Sequence, residues 1–181
     1  MKRFFFCAVL FALVGCSDKA VVDESTLMTT SFETLYGWLP ASQSDLLSRE
    51  QSHSGLYSTK VDPQHEYSLT YRSTLGDLHD TRISKMKVNA WVFVPDAQAQ
   101  ATLVISISNQ GAKPGNMLWE GINLQKEVKG EYGRWVNVSR ELTIPAEADD
   151  TNRLSIYLWR TGGDKAIFLD DVTLRNDKSV E

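Results

Sequence analysis

The sequence predicts an all-β domain built as an antiparallel β-sandwich. Three observations support this: apolar and polar residues alternate with a period of two, residues typical of turns separate the alternating segments, and no segment combines a helical period with capping residues. Several short strands joined by such turns are typical of antiparallel sandwiches. The clearest alternation runs from Lys85 to Val94, and Pro95 ends it.

The strands are predicted in chain order from the same alternation. Tyr67, Leu69 and Tyr71 mark an early strand, and the segment after Ile107 ends in a run of Asn, Gln and Gly that is typical of a turn. A pair of glycines, Gly162 and Gly163, marks another turn. The predicted strands are Leu56–Val61, Tyr67–Tyr71, Lys85–Val94, Leu103–Ser108, Trp135–Ile144, Leu154–Leu158 and Ile167–Leu174.

The first residues of the chain resemble a bacterial lipoprotein signal. A basic start at Lys2 and Arg3 precedes an apolar run, Phe4–Val14, that is too short to span a bilayer, and Gly15-Cys16 follows. The resemblance implies that residues 1–15 are a signal peptide and that Cys16 becomes a diacylated N-terminus, carrying chains such as palmitate. An ordinary signal peptide with an incidental cysteine is the alternative.

This resemblance also predicts the location and the domain limits. A lipoprotein is held in the cell envelope through its lipid anchor only, and Ser17 after the lipidated cysteine favours the outer membrane. Residues 16–30 are polar and lack a sustained apolar period, so we expect a flexible tether there. The sandwich is predicted over 31–175, and a disordered tail over 176–181.

Composition excludes two classes of chemistry. The chain has two cysteines, and because Cys7 leaves with the signal and Cys16 carries lipid, the mature domain has neither a disulfide nor a reactive thiol. Loss of Lys2 and Arg3 lowers the net charge from −4 to about −6. An acidic surface of this kind does not favour nucleic acid.

Short motifs spread over the predicted sandwich resemble carbohydrate-binding modules of families 4, 9 and 22. The motifs are Ser31-Phe32-Glu33, Gly37-Trp38, Ser52–Ser58, Trp135 at the start of a strand, Ile156–Trp159 and Phe168–Val172. The resemblance implies a jelly-roll sandwich, a structural calcium ion and a glycan cleft on the concave face of one sheet.

A calcium site is predicted from the last strand. Strict alternation would place Phe168, Asp170, Val172 and Leu174 on one face, so that Asp170 would point into the core. A buried carboxylate without a partner is costly, and a hard cation with oxygen ligands would resolve the cost.

The resemblance supplies the second ligand of this site, since Glu33 matches the Phe-Glu motif of the family. The alternative is that Asp170 caps a turn or pairs with an arginine such as Arg153 or Arg160. We expect Asp171 to face outward as a solvated charge.

Aromatic residues on faces away from the core are the candidate ligand-binding residues. Trp91 lies on the outward face of its strand, and Tyr157 and Trp159 on the outward face of theirs. Sugar rings stack on such side chains, while polar groups such as Lys87, Asn89 or Arg160 bind hydroxyls. The alternative is that the aromatic rings lie under a long loop or in a second packing layer.

These residues favour a binding protein over an enzyme. No nucleophile motif is present, and the three histidines are too far apart in sequence to resemble a helical zinc motif. We therefore expect a non-catalytic lipoprotein that binds a polysaccharide or oligosaccharide. The alternative is a structural lipoprotein that uses the same scaffold to contact other envelope proteins, and a hydrolase-associated accessory protein is a third, weaker alternative.

Overall fold

The computed structural model describes residues 25–34, 45–111 and 114–177 of the 181-residue chain. The predicted signal peptide, the lipidation site Cys16 and Trp38 lie outside the described residues. Within those three ranges, no helix is long and apolar enough to cross a membrane.

The described residues form ten strands and two four-residue helices. The helices are α1 (Leu75–Leu78) and α2 (Leu124–Glu127). The strands are β1 (Thr26–Thr30), β2 (Leu47–Ser48), β3 (Ser58–Val61), β4 (Tyr71–Thr74), β5 (Lys85–Phe93), β6 (Gln100–Asn109), β7 (Gly115–Asn123), β8 (Trp135–Thr143), β9 (Arg153–Gly162) and β10 (Ile167–Asn176).

The strands form two antiparallel sheets, which confirms the predicted all-β sandwich of the jelly-roll type. In the described part of the chain, one sheet has six strands in the order β2-β3-β10-β5-β8, with β1 also paired to β10. The other sheet has four strands in the order β4-β9-β6-β7. Neighbours in a sheet are mostly distant in sequence, because the chain often crosses from one sheet to the other. It crosses between β3 and β4, β4 and β5, β5 and β6, β7 and β8, β8 and β9, and β9 and β10.

The core lies between the two sheets and follows the predicted alternation. Every second residue of β5 from Met86 to Val92 is fully buried, and so is Val94 just after the strand. The four-stranded sheet contributes Leu103, Ile105 and Ile107 from β6 and matching apolar residues from β9. Full burial of one such side chain contributes about 1.5 to 3 kcal/mol, so this layer supplies the main stabilising energy of the domain.

The structure corrects both predicted ends of the domain. Thr26–Thr30, part of the predicted tether, is strand β1 and pairs with β10. Asn176, assigned to the predicted tail, is the last residue of β10, and its backbone N–H donates to Ser25 O at 2.7 Å. Only one residue of β1 is buried. A strand with so little buried surface needs no apolar alternation, so its threonine-rich sequence gave no strand signal.

A β-bulge in β10 corrects the predicted faces of that strand. The register to β5 shifts between Asp170 and Thr173, and Asp171 has a positive φ of 45°. Before the bulge, Phe168 and Asp170 pair with outward residues of β5, so they face away from the core. After it, Val172 and Leu174 face inward. The four side chains therefore do not share one face, because the bulge inserts a residue into the alternation.

Candidate functional site

The outer face of the six-stranded sheet, here called the loop face, carries a cluster of aromatic rings that contact one another. Phe93 lies edge-on to Trp135 at 5.7 Å between centroids and edge-on to Phe168 at 6.0 Å. The three residues are neighbours because β5 pairs with β8 on one side and β10 on the other. Their ring surfaces are therefore used to a large extent by packing within the protein.

The loop 52–57 covers this aromatic cluster. The His53 ring stacks on the Trp91 indole at 3.9 Å between centroids and 13° between planes. His53 Nδ1 is 2.6 Å from Asp171 Oδ2, and Ser54 Oγ donates to Asp171 Oδ1 at 2.6 Å. The Asp171 carboxylate therefore binds two side chains of the loop and is not the solvated strand-end charge expected from the sequence.

Asp170 fixes the backbone of the same loop. Its Oδ2 accepts hydrogen bonds from the N–H groups of His53, at 2.7 Å, and Ser54, at 3.2 Å, and its Oδ1 accepts from Asp171 N–H at 2.7 Å. The side chain is fully buried, and burial raises the pKa of the carboxyl while these N–H groups oppose the rise. Asp170 thus caps a turn, as the alternative interpretation held, and no arginine is among the partners described for it.

Glu33 binds the other end of this loop. Its Oε1 accepts from Leu56 N–H at 2.7 Å and from Tyr57 N–H at 2.9 Å. Gly55 lies between those two ends with a φ of +57°, and a Cβ there would collide with the Glu33 carboxylate. Glu33 and Asp170 therefore fold one loop from both ends through backbone N–H groups.

The predicted calcium ligands are thus close to one loop and are oxygen donors, which is the chemistry that calcium prefers. Calcium requires six to eight oxygens, so backbone carbonyls and water would have to complete the shell around Glu33 and Asp170. Among the residues that the structure describes, no group of three or more His, Cys, Asp or Glu side chains is placed to hold a metal. Because backbone N–H groups satisfy Asp170, its burial alone does not require a cation, and calcium binding stays a prediction.

The predicted sugar platform is not one surface. Trp91, Lys87 and Asn89 belong to β5 and face outward from the six-stranded sheet, whereas Tyr157 and Trp159 belong to β9 in the four-stranded sheet. The two groups are on opposite sides of the sandwich. Alternation identified the outward face of each strand correctly, but it carries no information on which sheet a strand joins.

The outer face of the four-stranded sheet, here called the cleft face, presents a row of side chains in register across all four strands. Arg72 in β4 pairs with Ser155 in β9, Ser155 pairs with Ser106 in β6, and Ser106 pairs with Trp119 in β7. Four strands separated by about 4.8 Å span roughly 14 Å. Opposite partners in antiparallel strands point to the same side, so this row forms a polar floor with an aromatic ring at one end.

Aromatic rings flank the other side of the floor. Tyr67 and Tyr157 lie edge to face with centroids 5.9 Å apart, and Tyr67 pairs with Trp159 through a single β-bridge. The Trp159 indole N–H donates to Glu66 Oε1 at 3.1 Å, which fixes the ring beside the cleft. Tyr67 is 48% exposed. Its ring is therefore open to a ligand, in contrast to the rings of the loop face.

A cleft of about 480 Å³ lies over this floor. Its lining is Leu46, Tyr67, Ser68, Thr70, Arg72, Ser106, Ser155 and Tyr157. Burial raises the pKa of the Tyr157 hydroxyl, and the positive charge of Arg72 opposes the rise, so the guanidinium acts on the phenol across the cleft.

The Trp119 indole lies over Gly121 at the far edge of the cleft face. It is 49% exposed, and a Cβ built on Gly121 would lie 2.5 Å from its ring. Gly121 pairs with Val104 in β6, and Val104 is fully buried although it points outward. The missing side chain at Gly121 therefore lets the indole cover the sheet and turn its free side to solvent.

The cleft face has the chemistry of a sugar site: exposed aromatic rings for stacking and hydroxyl and guanidinium groups for hydrogen bonds. Sequence analysis found Tyr157 and Trp159 but missed Tyr67, Arg72 and Trp119 as members of this face. Trp119 could not be placed on this face from the sequence, because its strand, β7, was not among the predicted strands.

The fold is similar to solved carbohydrate-binding modules. It matches the CBM22-1 xylan-binding domain of Xyn10C from Paenibacillus barcinonensis with a TM-score of 0.54 and 17% identity, covering 86% of this chain and 96% of that one. It matches the C-terminal family 22 carbohydrate-binding module of Xyn10B from Clostridium thermocellum with a TM-score of 0.55 and 10% identity, covering 87% and 97%.

A family 16 carbohydrate-binding module matches with a TM-score of 0.53 and 10% identity, over 80% of this chain and 94% of that one. No protein-family model matches the sequence, and no curated protein matches it significantly. The structural similarity confirms the jelly-roll fold and, at the level of fold, the expected resemblance to these modules.

Proposed function

We propose that this protein is a non-catalytic glycan-binding domain that binds a polysaccharide or oligosaccharide across the cleft face. The observation that carries the proposal is the in-register row from Arg72 to Trp119, with Tyr67 and Tyr157 beside it. This row is a polar floor bordered by exposed rings, and a short oligosaccharide lying across the strands would contact both.

The environment of the cleft supports a role in binding and not in catalysis. Glycoside hydrolysis requires two carboxyl groups facing each other across the sugar. The described lining of the cleft consists of hydroxyl groups, two tyrosine rings, one leucine and one arginine. The Glu66 carboxylate, next to Tyr67 in the chain, accepts a hydrogen bond from the Trp159 indole N–H, so no pair of carboxyl groups is described across the cleft. The structural neighbours include xylan-binding modules, which is consistent with a sugar ligand on this scaffold.

We also propose that the domain is anchored in the cell envelope through a lipid on Cys16, with the outer membrane as the expected location. The support is the sequence resemblance to lipoprotein signals, since Cys16 lies outside the described residues. Incorporation of labelled fatty acid into the wild type and its loss in Cys16→Ala is the expected result. Equal labelling of both proteins would contradict the anchor.

The binding proposal is tested with two variants of the cleft face, Tyr157→Ala and Trp119→Ala. Each removes a stacking surface worth about 0.5 to 1.5 kcal/mol beyond buried area, so we expect glycan affinity to fall several-fold to tenfold. Affinity gel electrophoresis against a panel of polysaccharides, followed by calorimetry on those that bind, measures the effect. The midpoint of urea unfolding is measured for every variant, because the proposal predicts weaker glycan binding with an unchanged midpoint.

Trp91→Ala is the matched aromatic control, because Trp91 lies on the loop face. We expect this variant to lose stability through its lost contact with His53 and to keep glycan affinity. Loss of affinity in Trp91→Ala with normal affinity in Tyr157→Ala would move the site to the loop face. Absence of binding to every polysaccharide would contradict the proposal and favour the structural, protein-contacting alternative.

A further inference from the structure

Two arginines lie close together on the cleft face. Arg72 pairs with Ser155 across β4 and β9, and Arg153 is two residues before Ser155 on the same outward side of β9. Such diagonal neighbours are separated by about 7 to 8 Å between Cα atoms. Both side chains are exposed, so two like charges are held next to each other, with Arg72 in the lining of the cleft and Arg153 beyond that lining on the same face.

Neither guanidinium has an acidic partner among the residues that the structure describes. Asp77 follows β4, but its carboxylate accepts a hydrogen bond from Thr74 Oγ1 at 2.7 Å. Segment 35–44, which precedes the cleft residue Leu46 in the chain, contains no Asp or Glu.

Other cations of this acidic chain do pair with carboxylates. Ion pairs with Asp or Glu are made by Lys60, Lys87, Arg134, Arg140 and Lys165. With a net charge of −4, acidic partners are abundant, so two adjacent arginines without one form a local positive site in a negative protein. Like charges placed together repel each other, and an anion between them would remove that cost.

The surroundings of the arginines favour a carboxylate on a sugar. A guanidinium binds a planar carboxylate through two parallel hydrogen bonds. Ser155, Ser106 and Thr70 supply hydroxyls beside Arg72, and Tyr157 supplies a ring on which a sugar stacks. A uronic acid residue combines both groups, because it carries a carboxylate on a ring with apolar C–H faces.

We infer that the glycan of the cleft face is acidic, and that Arg72 and Arg153 bind carboxylates of its uronic acid residues. The inference rests on the proposed function, because it names the class of glycan for the same site. Arg72 binds the sugar that stacks on Tyr157, and Arg153 extends the site along β9 toward a neighbouring sugar of the same polymer.

The experiment compares each acidic polymer with its own neutral form. The purified full-length protein is run in affinity gels against glucuronic-acid-substituted xylan, polygalacturonate and alginate, each beside the same polymer after chemical reduction of its carboxyl groups. We expect at least one acidic polymer to bind about tenfold more tightly than its reduced form. We also expect that difference to shrink as sodium chloride is raised, because salt screens exposed charges.

Variants assign the effect to the two arginines. Arg72→Gln and Arg153→Gln keep a polar side chain and remove the charge, and each should lower affinity for the acidic polymer about five- to tenfold. Arg72→Gln should lower affinity for the reduced polymer by a smaller factor, because Arg72 lines the cleft, whereas Arg153→Gln should leave it unchanged. Arg134→Gln is the matched control, because Arg134 is exposed and pairs with Glu131 just before β8, a strand of the six-stranded sheet and not of the sheet that carries the cleft face. This control should bind both polymers as the wild type does.

Three results are distinguishable. Equal affinity for acidic and reduced polymers overturns the inference and leaves the proposed function supported. Preference for acidic polymers that survives both arginine substitutions also overturns it. Absence of binding to any polymer, in either form, contradicts the proposed function and the inference with it.

Discussion

The two outer faces of the sandwich carry similar numbers of aromatic residues and use them in different ways. On the loop face, Trp91 is covered by His53, and Phe93 and Trp135 contact each other edge-on. On the cleft face, Tyr67 and Trp119 each keep about half of their surface exposed, at 48% and 49%. The difference lies in the loop 52–57, which folds onto one sheet and has no counterpart among the residues described over the other.

An aromatic residue on a non-core face is therefore evidence of a binding site only when the rest of the chain leaves it uncovered. Asp170, Asp171 and Glu33 hold the loop 52–57 in place, because their carboxylates accept hydrogen bonds from N–H and hydroxyl groups of the loop. Two of these carboxylates, Asp170 and Glu33, are the residues predicted to bind calcium, and here they hold the loop that closes one face. We therefore expect the two faces to be separate in stability and in binding.

The largest expected effect is on the loop face. Asp170→Ala removes the acceptor of three backbone N–H groups, those of His53, Ser54 and Asp171. Buried groups left without partners cost about 1 to 3 kcal/mol each, and we expect the free energy of unfolding to fall by about 3 kcal/mol or more. Urea unfolding measures this loss, and Asp164→Ala, at an exposed aspartate, is the control.

Glycan affinity of folded Asp170→Ala should equal that of the wild type if the faces are separate. A loss of affinity as large as that of Tyr157→Ala would show that the loop face and the cleft face are coupled.

The same variant tests calcium binding. Added calcium should raise the melting temperature of the chelator-treated wild type by mass action but not that of Asp170→Ala. An unchanged wild-type melting curve would exclude the calcium site.

The sequence predicted the sandwich well because period-two alternation is a direct consequence of strand geometry. Buried and partly exposed residues alternate along β5 and gave a clear signal, and the burial of Met86 agrees with it. The signal failed where burial does not alternate. β1 is a threonine-rich edge strand, and the bulge at Asp171 moved Asp170 from the predicted core to the loop face.

The site was only partly predictable because it depends on which strands become neighbours. Tyr157 and Trp159 share a strand, so their common face followed from the sequence. Arg72 and Trp119 are 47 positions apart in the chain and join the same row only through β9 and β6. Alternation within a strand is local, whereas the order of strands is set by packing of the whole domain.

The next largest effect is expected on the cleft face from Gly121→Ala. This substitution removes no side chain that would contact the glycan. Gly121→Ala places a methyl group 2.5 Å from the Trp119 ring, so the indole must leave its position against the sheet. We expect a several-fold loss of glycan affinity, approaching that of Trp119→Ala, as measured by calorimetry. Gly115→Ala in the same strand is the control, because nothing lies within 4 Å of a Cβ there. Normal affinity in Gly121→Ala would mean that the position of the Trp119 ring over Gly121 is not required.

The smallest effect concerns the wall of the cleft. His65 joins two aspartates, with Nδ1 2.8 Å from Asp62 Oδ1 and Nε2 2.9 Å from Asp45 Oδ2. Burial alone would lower the pKa of His65, but the hydrogen bonds and charges of the two aspartates outweigh it and raise the pKa. The ion pairs therefore stabilise the fold fully below the unfolded pKa of about 6.5, and this contribution is lost as pH rises through the higher folded pKa.

Asp45 precedes the cleft residue Leu46, and His65 lies two residues before Tyr67, so this pair of contacts ties the cleft wall to the turn beside it. Between pH 6 and 8 the wild type should lose at most about 1 kcal/mol of stability relative to His65→Gln, the range expected for partly exposed ion pairs. Urea unfolding across that range measures the slope, and His79→Gln, at a histidine that bonds within its own turn to Thr81, is the control. A wild-type slope identical to that of His65→Gln would show that the two aspartates do not hold the protonated ring. His79→Gln should keep the pH dependence of the wild type, and loss of that dependence in His79→Gln would mean that the effect is not specific to His65.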